Sequence, residues 1–237
     1  MIRKGSDRTE NNEQVIKLIT SDRERTNLLR NSEQQALAYL VQRIPSWVSS
    51  NLLTGIGFAG SIIVFASFLL ATWFGRLWLL VGVGGFAISW FGDSLDGRLA
   101  WYRKMPRKRY GFVLDITFDW ISIIFIGCGY MVYAEGPWEL LGYGFVVMYG
   151  WEMIIALMRY KLTDKYSIDT GKLGPTEARI IISVILVLEL IVSGSIVWSA
   201  LVVGIALFII NVIDTRRLLD VANEIDEVEK NGRLAQN

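Results

Sequence analysis

Long apolar runs, separated by short polar or charged segments, occupy the chain from residue 52 to residue 212. A helix needs roughly 20 mostly apolar residues to cross the hydrocarbon core of a bilayer. By that length the pattern predicts six membrane-spanning helices, at about 52–74, 77–101, 111–133, 138–159, 180–192 and 195–212. The last two come from one stretch that is too long for a single span and that a Ser-Gly-Ser sequence interrupts.

A different pattern precedes the first span, where the chain is mostly polar. Between Glu33 and Val48, apolar residues recur at helical spacing, namely Ala36, Leu37, Leu40, Val41 and Ile44. This spacing predicts an amphipathic helix that lies in the membrane interface. The polar start lacks the features of a cleaved signal peptide, so we expect none.

The pattern as a whole predicts an all-α integral membrane protein. We expect a cytoplasmic N-terminal segment with the interfacial helix at 1–48, a six-helix transmembrane domain at 49–217 and a cytoplasmic C-terminal tail at 218–237. Glycines at helix-facing spacings, such as Gly55 with Gly60 and Gly142 with Gly150, favour close helix contacts and leave a homodimer open.

Positive charges are concentrated in two of the predicted loops. They are Arg98, Arg103, Lys104, Arg107, Lys108 and Arg109, from the last turn of the second span to the start of the third, and Lys161, Lys165 and Lys172 between the fourth and fifth. The other loops carry almost no positive charge. The positive-inside rule therefore predicts that both termini and both basic loops are on the cytoplasmic side of the cell's inner membrane.

Composition narrows the chemistry. The net charge of the 237-residue chain is +1, which argues against a globally basic nucleic-acid binder, so we expect no nucleic-acid partner. The absence of histidine excludes Ser-His and Cys-His nucleophile pairs and histidine zinc sites. Cys128, the single cysteine, lies in an apolar run and is interpreted as a packing residue. Carboxylates remain as the candidate metal ligands.

Four aspartates stand at the facing ends of two consecutive spans. Asp93 and Asp96 are three residues apart near the end of the second span, and Asp115 and Asp119 are four apart at the start of the third. Residues at these spacings share a helix face. Because a short loop makes the two helices antiparallel neighbours, all four carboxylates are predicted to converge at the cytoplasmic end of the bundle.

Converging carboxylates need a cation, since bare acids are costly at membrane depth and repel one another. Hard divalent cations prefer oxygen ligands, and two of them roughly 3.5–4 Å apart can be bridged by carboxylates. We therefore predict a site for Mg²⁺ or Mn²⁺, with two ions. The alternative is that the aspartates only reach toward the interface or pair with the adjoining basic loop.

The segment that carries both pairs reads Asp93-x-x-Asp96-Gly97-x-x-Ala100, then Gly111-x-x-x-Asp115-x-x-x-Asp119. It resembles the signature of the CDP-alcohol phosphotransferase family, whose members have six spans and an amphipathic N-terminal helix. Two features differ. Trp101 stands where the family has arginine, and the interval to the glycine is one residue longer. Arg103 is the candidate to replace that arginine.

The resemblance implies metal-dependent transfer of a substituted phosphoryl group from a CDP-linked donor to an alcohol, with release of CMP. Asp93, Asp96, Asp115 and Asp119 would ligate the metal ions, and Asp119 would be the general base. CDP-diacylglycerol is the expected donor, in phospholipid synthesis. Transfer of a CDP-linked polar head group to a lipid alcohol is the alternative, so one of the two substrates is expected to be a lipid.

Other residues are implied for the substrates. Gly97, Ala100 and Gly111 would line the cytidine site. Asn51 and Thr54 are similar to a Pro-Asn-x-x-Thr element of the family and are assigned to the same site. The candidates for binding a phosphate or the acceptor are Arg103, Arg159, Lys161 and Arg179. A purely topological role as positive-inside residues is at least as compatible with Arg159, Lys161 and Arg179.

Three questions stay open at this point. Glu152 and Glu189 lie deep in predicted spans, where an isolated acid is either a functional group or a structural hydrogen-bond acceptor. A membrane prenyltransferase also binds a diphosphate through aspartate-rich helices, but its motifs lack the Asp-Gly-x-x-Ala element. A cation transporter would have its acids near the midplane, whereas these four are at one end.

Overall fold

A computed structural model describes residues 15–16, 18–19, 29–163 and 174–234. The described chain is helical and contains no strand. Its long helices, in chain order, are α1 (Arg30–Val41), α2 (Ser50–Phe74), α3 (Leu79–Tyr102), α4 (Lys108–Tyr133), α5 (Leu140–Thr163), α6 (Pro175–Ile191) and α7 (Ser195–Leu234). Lys165 and Lys172 of the second predicted basic loop lie outside the described residues.

Five of these helices are long and apolar enough to cross a membrane, namely α2, α3, α4, α5 and α7. Many of their apolar side chains are exposed, including Val113, Ile154, Val202 and Ile205, which in a bilayer would face lipid. The chain is therefore a multi-pass membrane protein, as predicted. Helix α6 has 17 residues, at the lower limit of length for a span, so the count of six spans stays a prediction.

The predicted break before the last helix is confirmed. Helix α6 ends at Ile191, and Gly194 adopts a φ of 83°, a left-handed conformation that glycine tolerates best. The buried carboxylate of Glu189 accepts hydrogen bonds from Gly194 N and Ile196 N, both at 2.9 Å, and from Tyr133 Oη at 3.1 Å. Glu189 thus caps the start of α7 and ties it to α4, which decides its role in favour of structure.

Glycine brings α2 and α3 into close contact. A Cβ atom on Gly60 would lie 2.6 Å from Gly85 O, and one on Gly85 would lie 2.8 Å from Gly60 O. Gly142 and Gly150 make comparable contacts inside the chain, with Gly127 O of α4 and the Trp120 ring. These glycines are used for packing within the protomer, and the homodimer stays a prediction.

We expect Gly60→Ala to destabilise the protein by about 1–3 kcal/mol, because the added methyl group must push α2 away from α3. Gly55→Ala is the matched control on the same helix, since nothing lies within 4 Å of a Cβ atom there. Thermal unfolding in detergent measures both. Equal midpoints for the two variants would contradict this packing.

The N-terminal helix α1 packs on the C-terminal half of α3. Its buried residues Leu37 and Val41 form one apolar cluster with Leu95 and Leu99 of α3. The helix ends at Val41, short of the predicted Val48, because Pro45 disfavours helical conformation in the residue before it. Its placement in the membrane interface stays a prediction.

Helix α7 continues without a break across the predicted domain boundary at 217. At 1.5 Å per residue its 40 residues extend about 60 Å, roughly twice the hydrocarbon thickness of a bilayer. The described part of the predicted C-terminal tail is therefore helical and continuous with the last span.

Candidate active site

Three of the four aspartates come together between α3 and α4. Carboxylate oxygens of Asp93, Asp115 and Asp119 all lie within 4.8 Å of one another. Asp93 comes from α3 and the other two from α4, as the antiparallel arrangement predicted. We call these three residues the aspartate cluster.

The cluster borders a cavity of about 20 Å³, whose lining also includes Thr54, Gly57, Ser89, Phe118, Ser122 and Arg179. Arg179 of α6 places Nη2 at 2.7 Å from Asp93 Oδ2. Gly57 lets α2 approach this point, since a Cβ atom there would lie 2.9 Å from Asp93 N. Helix α2 and the guanidinium of Arg179 from α6 therefore also border the aspartate cluster.

Asp96 lies outside the cluster and faces a second cavity. Its Oδ2 accepts a 2.6 Å hydrogen bond from Thr54 Oγ1 of α2, and its Oδ1 accepts one of 2.5 Å from Gly97 N. The prediction that all four carboxylates converge therefore holds for three of them. Asp96 is one helical turn closer than Asp93 to the loop between α3 and α4, and it lines the neighbouring space.

That second cavity has a volume of about 580 Å³ and is lined by all five residues assigned to the nucleotide, namely Asn51, Thr54, Gly97, Ala100 and Gly111. Thr54 and Asp115 line both this cavity and the small one beside the cluster. The two spaces therefore meet at these residues. We call the larger one the loop cavity, because the α3–α4 loop covers part of it.

Sequence reasoning missed the contribution of that loop. Arg107 donates from Nη2 to Asn51 Oδ1 at 2.5 Å, and its guanidinium lies 4.3 Å from the centre of the Tyr110 ring. Lys108 Nζ lies 4.9 Å from the centre of the Trp101 ring. The loop cavity is lined by all four of the side chains in these ring contacts, namely Arg107, Tyr110, Lys108 and Trp101. Apart from Arg103, the basic run was interpreted as a topology signal or as an alternative partner of the aspartates, and a loop has no periodicity that would show which side chains turn inward.

Arg103, the predicted replacement for the family arginine, is placed elsewhere. Its guanidinium donates to Val48 O at 2.5 Å and to Pro45 O at 2.8 Å, so it holds the α1–α2 linker. It is not among the residues that line the loop cavity. The reason is geometric, because Arg103 follows the last turn of α3 on the side that faces this linker.

The other basic candidates do not form a common pocket. Arg159 of α5 pairs with the buried Asp214 of α7 at 3.4 Å, and Lys161 is exposed. Only Arg179 lines the cavity of the aspartate cluster. The prediction of a shared phosphate pocket for Arg159, Lys161 and Arg179 is therefore not supported beyond Arg179.

A third space is also lined by Arg179. It is an almost entirely apolar groove of about 620 Å³ between α3 and α6, lined by Val83, Phe86, Trp90, Ile180, Val184 and Val187, among others. From Arg179 to Leu188, both lining residues, the groove follows α6 for about 13 Å. We call it the apolar groove.

The donor atoms of the cluster fit a hard divalent cation. Mg²⁺ takes six oxygen ligands at about 2.0–2.1 Å, so that oxygens on opposite sides of one ion are about 4.2 Å apart. The 4.8 Å limit among the three carboxylates is close to this span. The described cluster offers only oxygen ligands, which suits Mg²⁺ or Mn²⁺.

Comparison with known proteins identifies the class of the chain. The family model for CDP-alcohol phosphatidyltransferase matches residues 47–209, more than two thirds of the sequence, including all four aspartates. Comparison with curated protein sequences gives no match. Members of this family are transferases that depend in general on divalent metals, and the cation-transporter alternative has no support. The chain therefore belongs to the CDP-alcohol phosphatidyltransferase family, enzymes that transfer a phosphoryl group from a CDP-alcohol to an alcohol.

Proposed function

We propose that this enzyme transfers a phosphatidyl group from CDP-diacylglycerol to the hydroxyl of a polar alcohol and releases CMP, as a step in phospholipid synthesis. One observation carries the proposal: the aspartate cluster lies between the loop cavity and the apolar groove. Asp115 borders the loop cavity, and Arg179 borders both the cluster and the groove. A nucleotide-linked lipid has the same order of parts, with a diphosphate between a nucleoside and acyl chains.

The loop cavity suits the nucleoside end. Its volume of about 580 Å³ is within the usual range for small-molecule sites. Gly97, Ala100 and Gly111 leave space for a ring close to the backbone. Trp101 and Tyr110 offer aromatic faces for stacking on a base.

The apolar groove suits an acyl chain, with Arg179 at its polar end to meet a phosphate. A lipid alcohol acceptor would use the same groove, so transfer of a CDP-linked polar head group to a lipid remains the alternative. We infer that the aspartates face the cytoplasm, because the basic α3–α4 loop is at their end of the bundle.

Asp93, Asp115 and Asp119 would hold the divalent cation, with Asp96 at the edge of the loop cavity. The small cavity has room for one ion, and a second would lie where Asp96 and Asp115 border the loop cavity. The bound cations would neutralise the diphosphate and the departing CMP. Asp119 is positioned on the same helix face as Asp115 and would accept the proton of the acceptor hydroxyl.

Incubation of the purified enzyme with Mn²⁺ tests this function, with either CDP-diacylglycerol or CDP-choline as donor and a panel of alcohols. We expect CMP release from CDP-diacylglycerol with a polar alcohol. Release from CDP-choline with diacylglycerol would instead establish the alternative. No CMP from any donor, with enzyme shown to be folded, would overturn both.

Arg107→Ala is expected to raise the KM for the CDP-linked donor about tenfold with a smaller change in kcat. The reason is that a guanidinium that binds the donor equally well in the ground state and in the transition state contributes to KM and not to kcat. Arg103→Ala is the matched control. It removes the same charge from the same loop but should lower thermal stability and leave the KM nearly unchanged. Steady-state CMP release gives both constants, and the reverse pattern would assign the donor-binding role to Arg103.

A further inference from the structure

A buried carboxylate of the N-terminal helix reaches the two helices that carry the Asp93–Arg179 pair. The Glu33 side chain is 3% exposed. Its Oε1 accepts a hydrogen bond from Thr176 Oγ1 of α6 at 3.1 Å and from Ser94 Oγ of α3 at 3.5 Å. Arg98 Nη2 of α3 lies 3.9 Å from the same oxygen. One acid thus contacts three side chains on two different helices.

Each of these contacts is close to the active site along the chain. Ser94 directly follows Asp93, and Arg98 follows Gly97 and also donates from Nη1 to Ser94 O. Thr176 is three residues before Arg179, and both residues line the apolar groove from α6. Arg179 in turn bonds Asp93 at 2.7 Å. A closed loop of contacts therefore connects Glu33, α3, the Asp93–Arg179 pair and α6.

We propose that Glu33 is a positioning residue of the active site, which holds α6 against α3 so that Arg179 stays at the polar end of the apolar groove and in contact with Asp93. The inference rests on the proposed function of this groove as the lipid site. It adds a residue from outside the interval 47–209 that matches the family. The N-terminal helix is then part of the catalytic unit.

Two further observations support this role. Glu177, the residue after Thr176, accepts hydrogen bonds at 3.0 Å from Leu29 N and from Gly174 N. The start of α6 is thus fixed to the N-terminal segment at a second point. Leu29 and Glu33 also line the apolar groove beside Arg179. A shift of α1 would therefore change the groove as well as the position of the guanidinium.

Glu33→Gln tests the proposal with little change in volume. We expect the KM for the lipid substrate to rise about tenfold while kcat stays within about threefold, because weakening a charge-assisted contact displaces the phosphate-binding guanidinium. Thr176→Val should reproduce this effect, and Thr176→Ser should not. Glu189→Gln is the matched control, since it alters an equally buried acid at the other end of α6 and should change stability but not the KM.

A double-mutant cycle separates positioning from general stability. If Glu33 acts through Arg179, Glu33→Gln should have almost no further effect on the KM in an Arg179→Ala background. The same tenfold effect in both backgrounds, or none in either, would overturn the proposal.

A second measurement does not depend on turnover. Spin labels are placed at the exposed positions Ile88 of α3 and Ile181 of α6, in a Cys128→Ser background. The distribution of distances between the two labels should broaden in Glu33→Gln but not in Glu189→Gln. A failure of the proposed function would leave this readout intact. An unchanged distribution would count against Glu33 alone.

Discussion

Asp119→Asn is expected to lower the rate of CMP release by about 10³-fold while the affinity for Mn²⁺ falls less than about tenfold. The amide keeps an oxygen that can face a cation, but it cannot take a proton from the acceptor hydroxyl, and general-base catalysis contributes about 10²–10⁴-fold. Asp119 is within the aspartate cluster and lines its cavity. Its two proposed roles, metal ligand and general base, therefore belong to the same site.

The measurement compares kcat at saturating Mn²⁺ with the dissociation constant of Mn²⁺ from calorimetry. Asp220→Asn is the control, because it removes one charge from an exposed position of α7. Turnover of Asp119→Asn within a few fold of the unmodified enzyme would remove Asp119 from the role of base and leave it, at most, as a ligand.

Asp115→Ala is expected to weaken Mn²⁺ binding by at least about 100-fold and to reduce CMP release to background. Asp115 is the aspartate that borders both the cluster cavity and the loop cavity, so its loss removes an oxygen donor from the point where the two spaces meet. Even residues that only support metal ligands contribute 10–100-fold to affinity, so a ligand should contribute at least the upper value.

The contrast between the two variants is the informative result. Asp119→Asn should separate catalysis from metal binding, whereas Asp115→Ala should reduce both together. If Asp115→Ala binds Mn²⁺ as tightly as the unmodified enzyme, the cations are held elsewhere and the proposed arrangement of ligands is wrong.

The aspartate cluster could be predicted because its spacing and a short loop are local features of the sequence. The misplacement of Asp96 also has a simple cause. At about 100° per residue, a spacing of three falls about 60° short of a full turn, and a spacing of four exceeds it by about 40°. Asp115 and Asp119 therefore share a face more closely, while Asp96 turns from Asp93 toward Thr54 of α2.

Arg179 was predicted only as a candidate for binding a phosphate or the acceptor, and its contact with Asp93 could not be predicted because the two residues are 86 positions apart in the chain. Only the packing of α6 on α3 brings the two together and forms the apolar groove. The orientation of the basic residues in the α3–α4 loop could not be predicted either. Their charge indicates topology, but it does not show which of the side chains face the cavity. In this loop Arg107 faces the cavity and Arg103 faces the α1–α2 linker.

The roles of the buried glutamates also could not be predicted from the sequence alone. The sequence left Glu189 open between a functional and a structural role, and its hydrogen bonds to Gly194 N and Ile196 N decide in favour of a helix cap. Glu33 was interpreted only as the start of an amphipathic helix, because nothing in a single sequence places it beside Thr176.

Location of Mn²⁺ by anomalous X-ray scattering, in crystals of the enzyme grown with the ion, tests the central claim most directly. We predict an anomalous peak bonded by carboxylate oxygens of Asp93, Asp115 and Asp119. Saturating Mn²⁺ with no peak at this position, or aspartate side chains turned apart toward lipid or bulk water, would contradict it.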